Sequence, residues 1–445
     1  MTDIDLNAGA LAPVAAETDF ADLPVSGRLP DDLNGVLVRN GPNPLAGRFE
    51  GLGVLSWWPE AAMLHGIRFE NGRARTYRNR WLRTQRWARA HDAARAPSYA
   101  DTNPNVNVIR HAGATLALAE GGAPLAIDAA LDTAGPGLPR TAFASGMTAH
   151  PKTDPHSGEL FTFRAGWKPP YLRYGVIDAT GEQRVDQEIA MTSASMMHDM
   201  AITATHAILF DTNVAYDFTM LARGHRMPLR WHGEREARLC VVPRNGGAVR
   251  WLGIAPCFIQ HVVNAYDADA ATIVLDAIRY PWYLRLAPDG AGFDDNPPGA
   301  LWRYRIDLTT GEVGETAVGE CGVELPRIND RFCGRAYRYL YAVEQPTPFE
   351  MRGLVRYDWA SGTFARFSLP QGDQNSEPIF VPRAGARAED EGWLLACVYR
   401  HASDTSDVVV LDARDISGGP VATVHLPVRI PTGFHGAWLE QAAAT

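Results

Sequence analysis

The stretch SASMMHDMAIT, residues 193–203, sets a histidine and an aspartate among methionines, alanines and an isoleucine. Read alone, His198 is an ordinary core histidine whose ring nitrogens have found partners. Three further histidines share its setting, an apolar run at the edge of a turn. They are His150 in GMTAHPKTDP, His261 in CFIQHVVNAYD and His435 in IPTGFHGAW. As a set, neutral imidazoles are borderline ligands that suit Fe(II), Zn(II), Cu or Ni, with geometry deciding among them. Their spread along the chain excludes a local zinc finger or an HExxH helix. His111, His156, His206, His225, His232, His401 and His425 stand in polar or turn-like contexts and read as surface residues. His65 and His91 lack the apolar-then-turn context.

A metal-bound imidazole usually donates its other ring N–H to a carboxylate or carbonyl, which fixes its tautomer and aim. Glu120 in LALAEGG, Glu324 in GVELPRIND and Glu377 in NSEPIFVPR occupy apolar or structured settings. An unpaired carboxylate is costly there, so each needs a partner. A histidine N–H would serve, and so would an arginine. Asp199 reads as a local backbone brace rather than a catalytic acid.

Residues this far apart can meet only if the fold aims many strand ends at one point. Helical patterns are few. The first twenty or so residues and WARAHDAARAPSYA are the best helix or loop candidates. Short β-branched and aromatic runs such as GVLVRNG, ELFTFRA and TIVLDAIRY fill most of the remainder, between Gly, Pro, Asp and Asn clusters. KTDPHSGELFTF, YGVIDATGEQR, YRIDLTTGEVGE and YDWASGTFARF share a pattern: strand, Asp, Ser or Thr, Gly, strand. Asp can bond its own backbone in such a turn and Gly accepts positive φ, so each predicts a hairpin. Repeated hairpins favour radial repetition of small sheets, a β-propeller, over a large sandwich or two barrels. The acidic RAGARAEDEGW reads as a solvated hairpin loop. No linker cuts the chain, so residues 1–445 read as one all-β domain.

The composition is ordinary for a globular protein. A net charge of −9 without a basic run argues against a nucleic-acid partner. No signal peptide is visible in MTDIDLNAGA, and no apolar stretch is long enough to span a bilayer. Five cysteines without a CxxC argue against a disulfide framework or thiolate zinc, and a cytoplasmic location is expected. Any metal ligands should therefore be N or O.

The stretches LVRNGPNPL, AEGGAPLAID, AHPKTDPHSGELFTF, MMHDMAIT, HVVNAYDADAATIVLDAIRY, ELPRIND, EPIFVPR and GFHGAWL closely resemble motifs of carotenoid cleavage oxygenases. They run in family order along nearly the whole chain. The resemblance implies a seven-bladed β-propeller under a dome of loops and short helices, with one Fe(II) on the axis. It implies His150, His198, His261 and His435 as ligands. Glu120, Glu324 and Glu377 would orient three of those imidazoles and leave His150 without a carboxylate. The chemistry implied is cleavage of a C=C bond by dioxygen into two carbonyl products, with no acid or nucleophile required from the protein.

Two departures stand out. Trp57, Trp58 and Pro59 precede MLHGIRFE where many relatives have a Gly/Asp-rich turn, and are expected to reshape that blade. Relatives that cleave hydroxylated stilbenes typically carry a lysine immediately before the first glutamate. Ala119 stands there and cannot bind a phenol oxygen. That points toward a carotenoid or apocarotenoid and away from a stilbene or isoeugenol-like alkene. Trp57, Trp58, Trp81, Trp167, Trp282 and Tyr283, with Ala119, are the candidates for the substrate tunnel. The expected partners are a small hydrophobic alkene and O2, with peripheral membrane contact possible and the oligomeric state open. The rival readings are a retinoid-style isomerase and a propeller serving only as a binding scaffold. A scaffold would have no use for buried imidazoles.

Overall fold

In this computed structural model, residues 4–50, 54–93, 102–224, 227–288, 293–319, 321–348 and 350–440 are described. The four repeated turns are built as their residue types require. Asp154, Asp178, Asp307 and Asp358 each accept backbone N–H groups two to four residues ahead. Gly158, Gly181, Gly311 and Gly362 close the turns at φ 71, 90, 83 and 69°. That region is open to glycine at no steric cost. All four hairpins are present, Leu172–Ile177 with Gln183–Ile189 being one.

The hairpins belong to a seven-bladed β-propeller. Blade 1 is Asp19–Ala21, Gly35–Pro42, Ala62–Glu70 and Arg73–Trp81; blade 2 begins at Asn107–His111 and ends at Thr133–Pro136. Blades 3 to 6 open with Lys152–Thr153, Ala201–Ile202, Phe258–Asp267 and Val323–Arg327, and each has four strands. Blade 7 runs from Gln374–Asn375 to Pro420–His425. Two closures seal the ring. Gly436–Glu440 adds the fifth strand of blade 1 beside Gly35–Pro42, and Val25–Gly27 pairs with Pro420–His425 on blade 7.

The core lies between blades rather than at the centre. One cluster joins Phe161, Phe163 and Tyr174 of blade 3 to Ile202, Leu209 and Val242 of blade 4. Another joins Leu37 and Tyr77 of blade 1 to Leu395 and Val408 of blade 7. Middle strands are covered on both faces, which is why TIVLDAIRY is an unbroken apolar run apart from Asp276 and Arg279. The outer strand Gln183–Ile189 alternates instead, with one face in solvent. Each fully buried Leu, Val or Phe contributes roughly 1.5–3 kcal/mol.

RAGARAEDEGW is the expected hairpin loop between Ile379–Pro382 and Gly392–Arg400. Its Glu389 reaches blade 6 and accepts the Arg338 and Tyr339 N–H groups. Blade 1 pairs regularly from Ala62 to Arg68, with a register shift only between Arg68 and Phe69, despite Trp57, Trp58 and Pro59, which form a helical turn and loop ahead of it. The N-terminal helix candidate is only a 3-10 turn, Gly9–Leu11, whereas Gln85–Ala90 is helical. Residues 94–101, the end of WARAHDAARAPSYA included, lie outside the described residues. Among the described residues no helix is long and apolar enough to cross a membrane.

Candidate metal centre

Four of the innermost strands each deliver one histidine to the axis. His150 precedes Lys152–Thr153, His198 precedes Ala201–Ile202, His261 lies within Phe258–Asp267, and His435 precedes the closing strand Gly436–Glu440. One ring nitrogen from each lies within 4.8 Å of one from every other. Ring centroids are 4.5 Å apart for His150 and His198, and 4.4 Å for His150 and His435. His261 reaches the axis from an irregular segment, where the pairing with Thr272–Tyr280 shifts register between Ile259 and Asn264. The backbone fixes the others as well. His435 donates its N–H to the Val106 carbonyl, and Asn107 Nδ2 donates to the carbonyl of Ala149.

The three glutamates stand behind three of the imidazoles, in three different surroundings. Glu324 Oε2 is 2.5 Å from His261 Nδ1 and also accepts the Leu325 N–H, while Oε1 accepts from the Tyr280 hydroxyl at 2.8 Å. Leu325 sits at φ 51°, a left-handed conformation unusual for leucine, and its N–H turns back onto Glu324. Glu377 accepts from His435 Nδ1 at 2.9 Å, from the Gly436 N–H and from Arg327 at 2.9 and 3.3 Å, with Arg39 at 3.8 Å. Glu377 therefore has both partners that its setting left open, a histidine and an arginine. Glu120 Oε2 is 2.9 Å from His198 Nδ1, but outside the angular range of a hydrogen bond. Among the described residues no carboxylate is within ion-pair distance of His150.

The titration directions follow from these surroundings. Burial pushes the Glu120 carboxyl up, and His198 offsets this only partly. Burial also acts on Glu377, but Arg327 and His435 outweigh it and hold its carboxyl well below the usual range. Burial holds His150 well below the usual imidazole range, and the other three histidines add to the effect. His435 is lowered to about 4, again chiefly by burial. For His261 burial acts in the same sense, and Glu324 outweighs it, so the ring is raised.

The donor set fits a metal ion. The Nε2 atoms of His150 and His261 are buried and have no hydrogen-bond partner in the protein. Unpartnered buried polar atoms are rare and costly, and here they converge. Neutral nitrogens with carboxylates behind them are the donors expected of a His-bound divalent metal.

The cluster separates two cavities. His198, His261 and His435 line one of about 620 Å³ together with Trp57, Trp58, Ala119, Tyr283 and Phe434. His150, His261 and His435 line the other, of about 510 Å³, with Lys152, Asp199, Arg327 and Asp330. Three tunnel candidates are corrected. Trp81 packs with Ala61 and Met63 and donates to the Asn43 carbonyl, so it belongs to the core of blade 1. Trp167 is 50% exposed, edge-on to Phe218, and lines neither cavity. Trp282 also lies outside, beneath the Arg285 guanidinium. His111 is buried rather than on the surface, at the end of Asn107–His111. Tyr280, Arg327 and Arg39 carried no signal in the sequence that would have assigned them to this site.

The family described as retinal pigment epithelial membrane protein matches residues 11–440. The chain is 34% identical to a carotenoid cleavage oxygenase of Mycobacterium tuberculosis, over 97% of this chain and 96% of that protein. It is 29% identical to the apocarotenoid-15,15′-oxygenase of Synechocystis, over 95% and 94% of the two chains. The structure of the cobalt-substituted Synechocystis apocarotenoid oxygenase superposes with a TM-score of 0.85 at 27% identity, covering 98% of each chain. The lignostilbene dioxygenase of Pseudomonas brassicacearum gives 0.88 at 26%, covering 98% and 99%. The chain belongs to the carotenoid cleavage oxygenase family. It is an enzyme, a dioxygenase of that type.

Proposed function

We propose that the chain is a non-heme Fe(II) dioxygenase that cleaves one C=C bond of a carotenoid or apocarotenoid into two carbonyl products. His150, His198, His261 and His435 hold the metal, and Glu120, Glu324 and Glu377 orient three of the imidazoles. Bound there, Fe(II) supplies the activation of dioxygen. The observation that carries the substrate reading is the larger cavity, whose aromatic wall ends on His198, His261 and His435. A conjugated polyene gains affinity from buried apolar length and needs no charged contact. The aromatic wall excludes water and holds the polyene against the histidine end.

A phenolic alkene is the second reading. The likeness to a lignostilbene dioxygenase favours it. Ala119 weighs against it, since its methyl group can neither donate to a phenol oxygen nor favour a phenolate. The test is kcat/KM for β-apo-8′-carotenal, resveratrol and isoeugenol on one iron-loaded preparation, with the carbonyl products identified. The polyene should be cleaved fastest. Faster turnover of either phenolic substrate would overturn the substrate reading. Ala119→Lys should then raise phenolic turnover if the pocket is otherwise shared.

A further inference from the structure

The aspartate beside His198 is almost wholly buried, and its two oxygens face three different segments. Oδ1 accepts the N–H of Met200 at 2.7 Å, in the same segment ahead of Ala201–Ile202. The same oxygen meets the Lys152 ammonium at 2.7 Å, and Lys152 lies two residues beyond His150 on blade 3. Oδ2 accepts the Val262 N–H at 2.7 Å, and Val262 follows His261 on blade 5. Val262 is where the strand slips register, so the irregularity that aims His261 also turns this N–H toward Asp199. The brace is therefore not local. It crosses three consecutive blades, and each contact is at or next to a segment bearing a histidine.

We infer that Asp199 is a positioning residue that sets His150, His198 and His261 at their mutual distances. The inference rests on the reading of the four histidines as metal ligands. A carboxylate suits the task because both oxygens only accept, so one small group can take two N–H groups and an ammonium. An asparagine has one accepting oxygen. Its NH2 would face either the Val262 N–H or the Lys152 ammonium, donor against donor. Thr148 makes a second, weaker link: its hydroxyl accepts the His150 N–H and donates to the His198 carbonyl. His435 stands outside this network. Glu377 holds both its ring and the following N–H.

The test titrates metal-free protein with Co(II) alone. The readouts are the visible d–d absorption and the affinity by chelator competition. Wild type should take up one ion per chain. Asp199→Asn should bind Co(II) about 10–100-fold more weakly with a displaced d–d band. Asp407→Asn is the control for mere destabilisation. That buried acid meets Arg400 and His425 on the neighbouring strands of blade 7, away from the four histidine segments. It should lower Tm and leave the band where it was. Unchanged affinity and band in Asp199→Asn would overturn the inference. Should that variant fail to fold, Lys152→Met decides. It keeps both backbone bonds and removes only the arm to blade 3. A band and affinity identical to wild type would overturn the three-blade brace, and a several-fold loss of affinity supports it. A wild-type chain that takes up no Co(II) would instead sink the metal reading, and this inference with it.

Discussion

Two cavities of similar size meet at the same histidines and share almost nothing else. The one of about 620 Å³ is walled by Trp57, Trp58, Tyr283 and Phe434, and Glu120 is open to it. The one of about 510 Å³ holds Lys152, Asp199, Arg327, Asp330 and Glu377. Both deliver carboxylates to histidines, and between Glu120 on one side and Glu377 on the other the surroundings reverse the energetics. Glu377 is surrounded by guanidinium groups and held anionic. Glu120 is pushed up by burial, with Asp199 adding to the effect and only His198 and His261 opposing it. The contrast separates what a hydrocarbon needs from what a charged centre needs, on opposite sides of one layer of imidazoles.

The largest effect should come from the layer itself. His261 lines both cavities, so His261→Ala should remove metal and turnover together, with metal content falling from one ion per chain to near none. Elemental analysis checks this, and a variant that keeps its metal would detach His261 from the centre.

The next effect compares the two carboxylates in metal-free protein at neutral pH. The folded-state carboxyl of Glu377 is depressed, so its contribution is present above the ordinary value of 4.5 and is lost as pH falls below it. Glu120 is raised, so its ionised form disfavours folding and protonation relieves that. Glu377→Gln leaves Arg327 and Arg39 without their charge partner and should cost about 3–5 kcal/mol. Glu120→Gln should cost nothing or stabilise. Equal losses in urea unfolding would erase the distinction.

The smallest effects should fall on the aromatics. Trp58 stacks on Tyr283 at 6.5 Å in the apolar wall. Trp58→Ala should raise KM by about 10-fold with kcat little changed, as loss of uniform binding does. Trp167→Ser, at an exposed site outside both cavities, should leave both constants within about twofold. A matching loss in Trp167→Ser would return that residue to the substrate path.

Much of the site was legible because histidines in apolar runs beside turns are unusual, and four such runs occur near strand ends. The hairpins were legible because Asp and Gly at fixed offsets have one cheap conformation. Side-chain direction was not. Trp81 and Trp167 are the same residue type as Trp57, and composition cannot say which ring faces a cavity and which packs inside a blade. His111 misled for a related reason. Its turn-like neighbours report the backbone, while burial depends on the next blade. Arg327 and Tyr280 join the site only because blades 5, 6 and 7 bring distant strands to one axis.

The closing strand has a consequence for biosynthesis. His435 lies immediately before Gly436–Glu440, the strand that seals blade 1 from the far end of the chain. A nascent chain can hold three imidazoles and the hairpins of all seven blades and still lack the fourth nitrogen until that strand docks. With the four histidines as the proposed ligands, metal capture would wait for the end of folding. A polypeptide cut short before residue 435, or one whose ring has sprung open, forfeits the tetrad outright, so metal content reports whether the ring has closed.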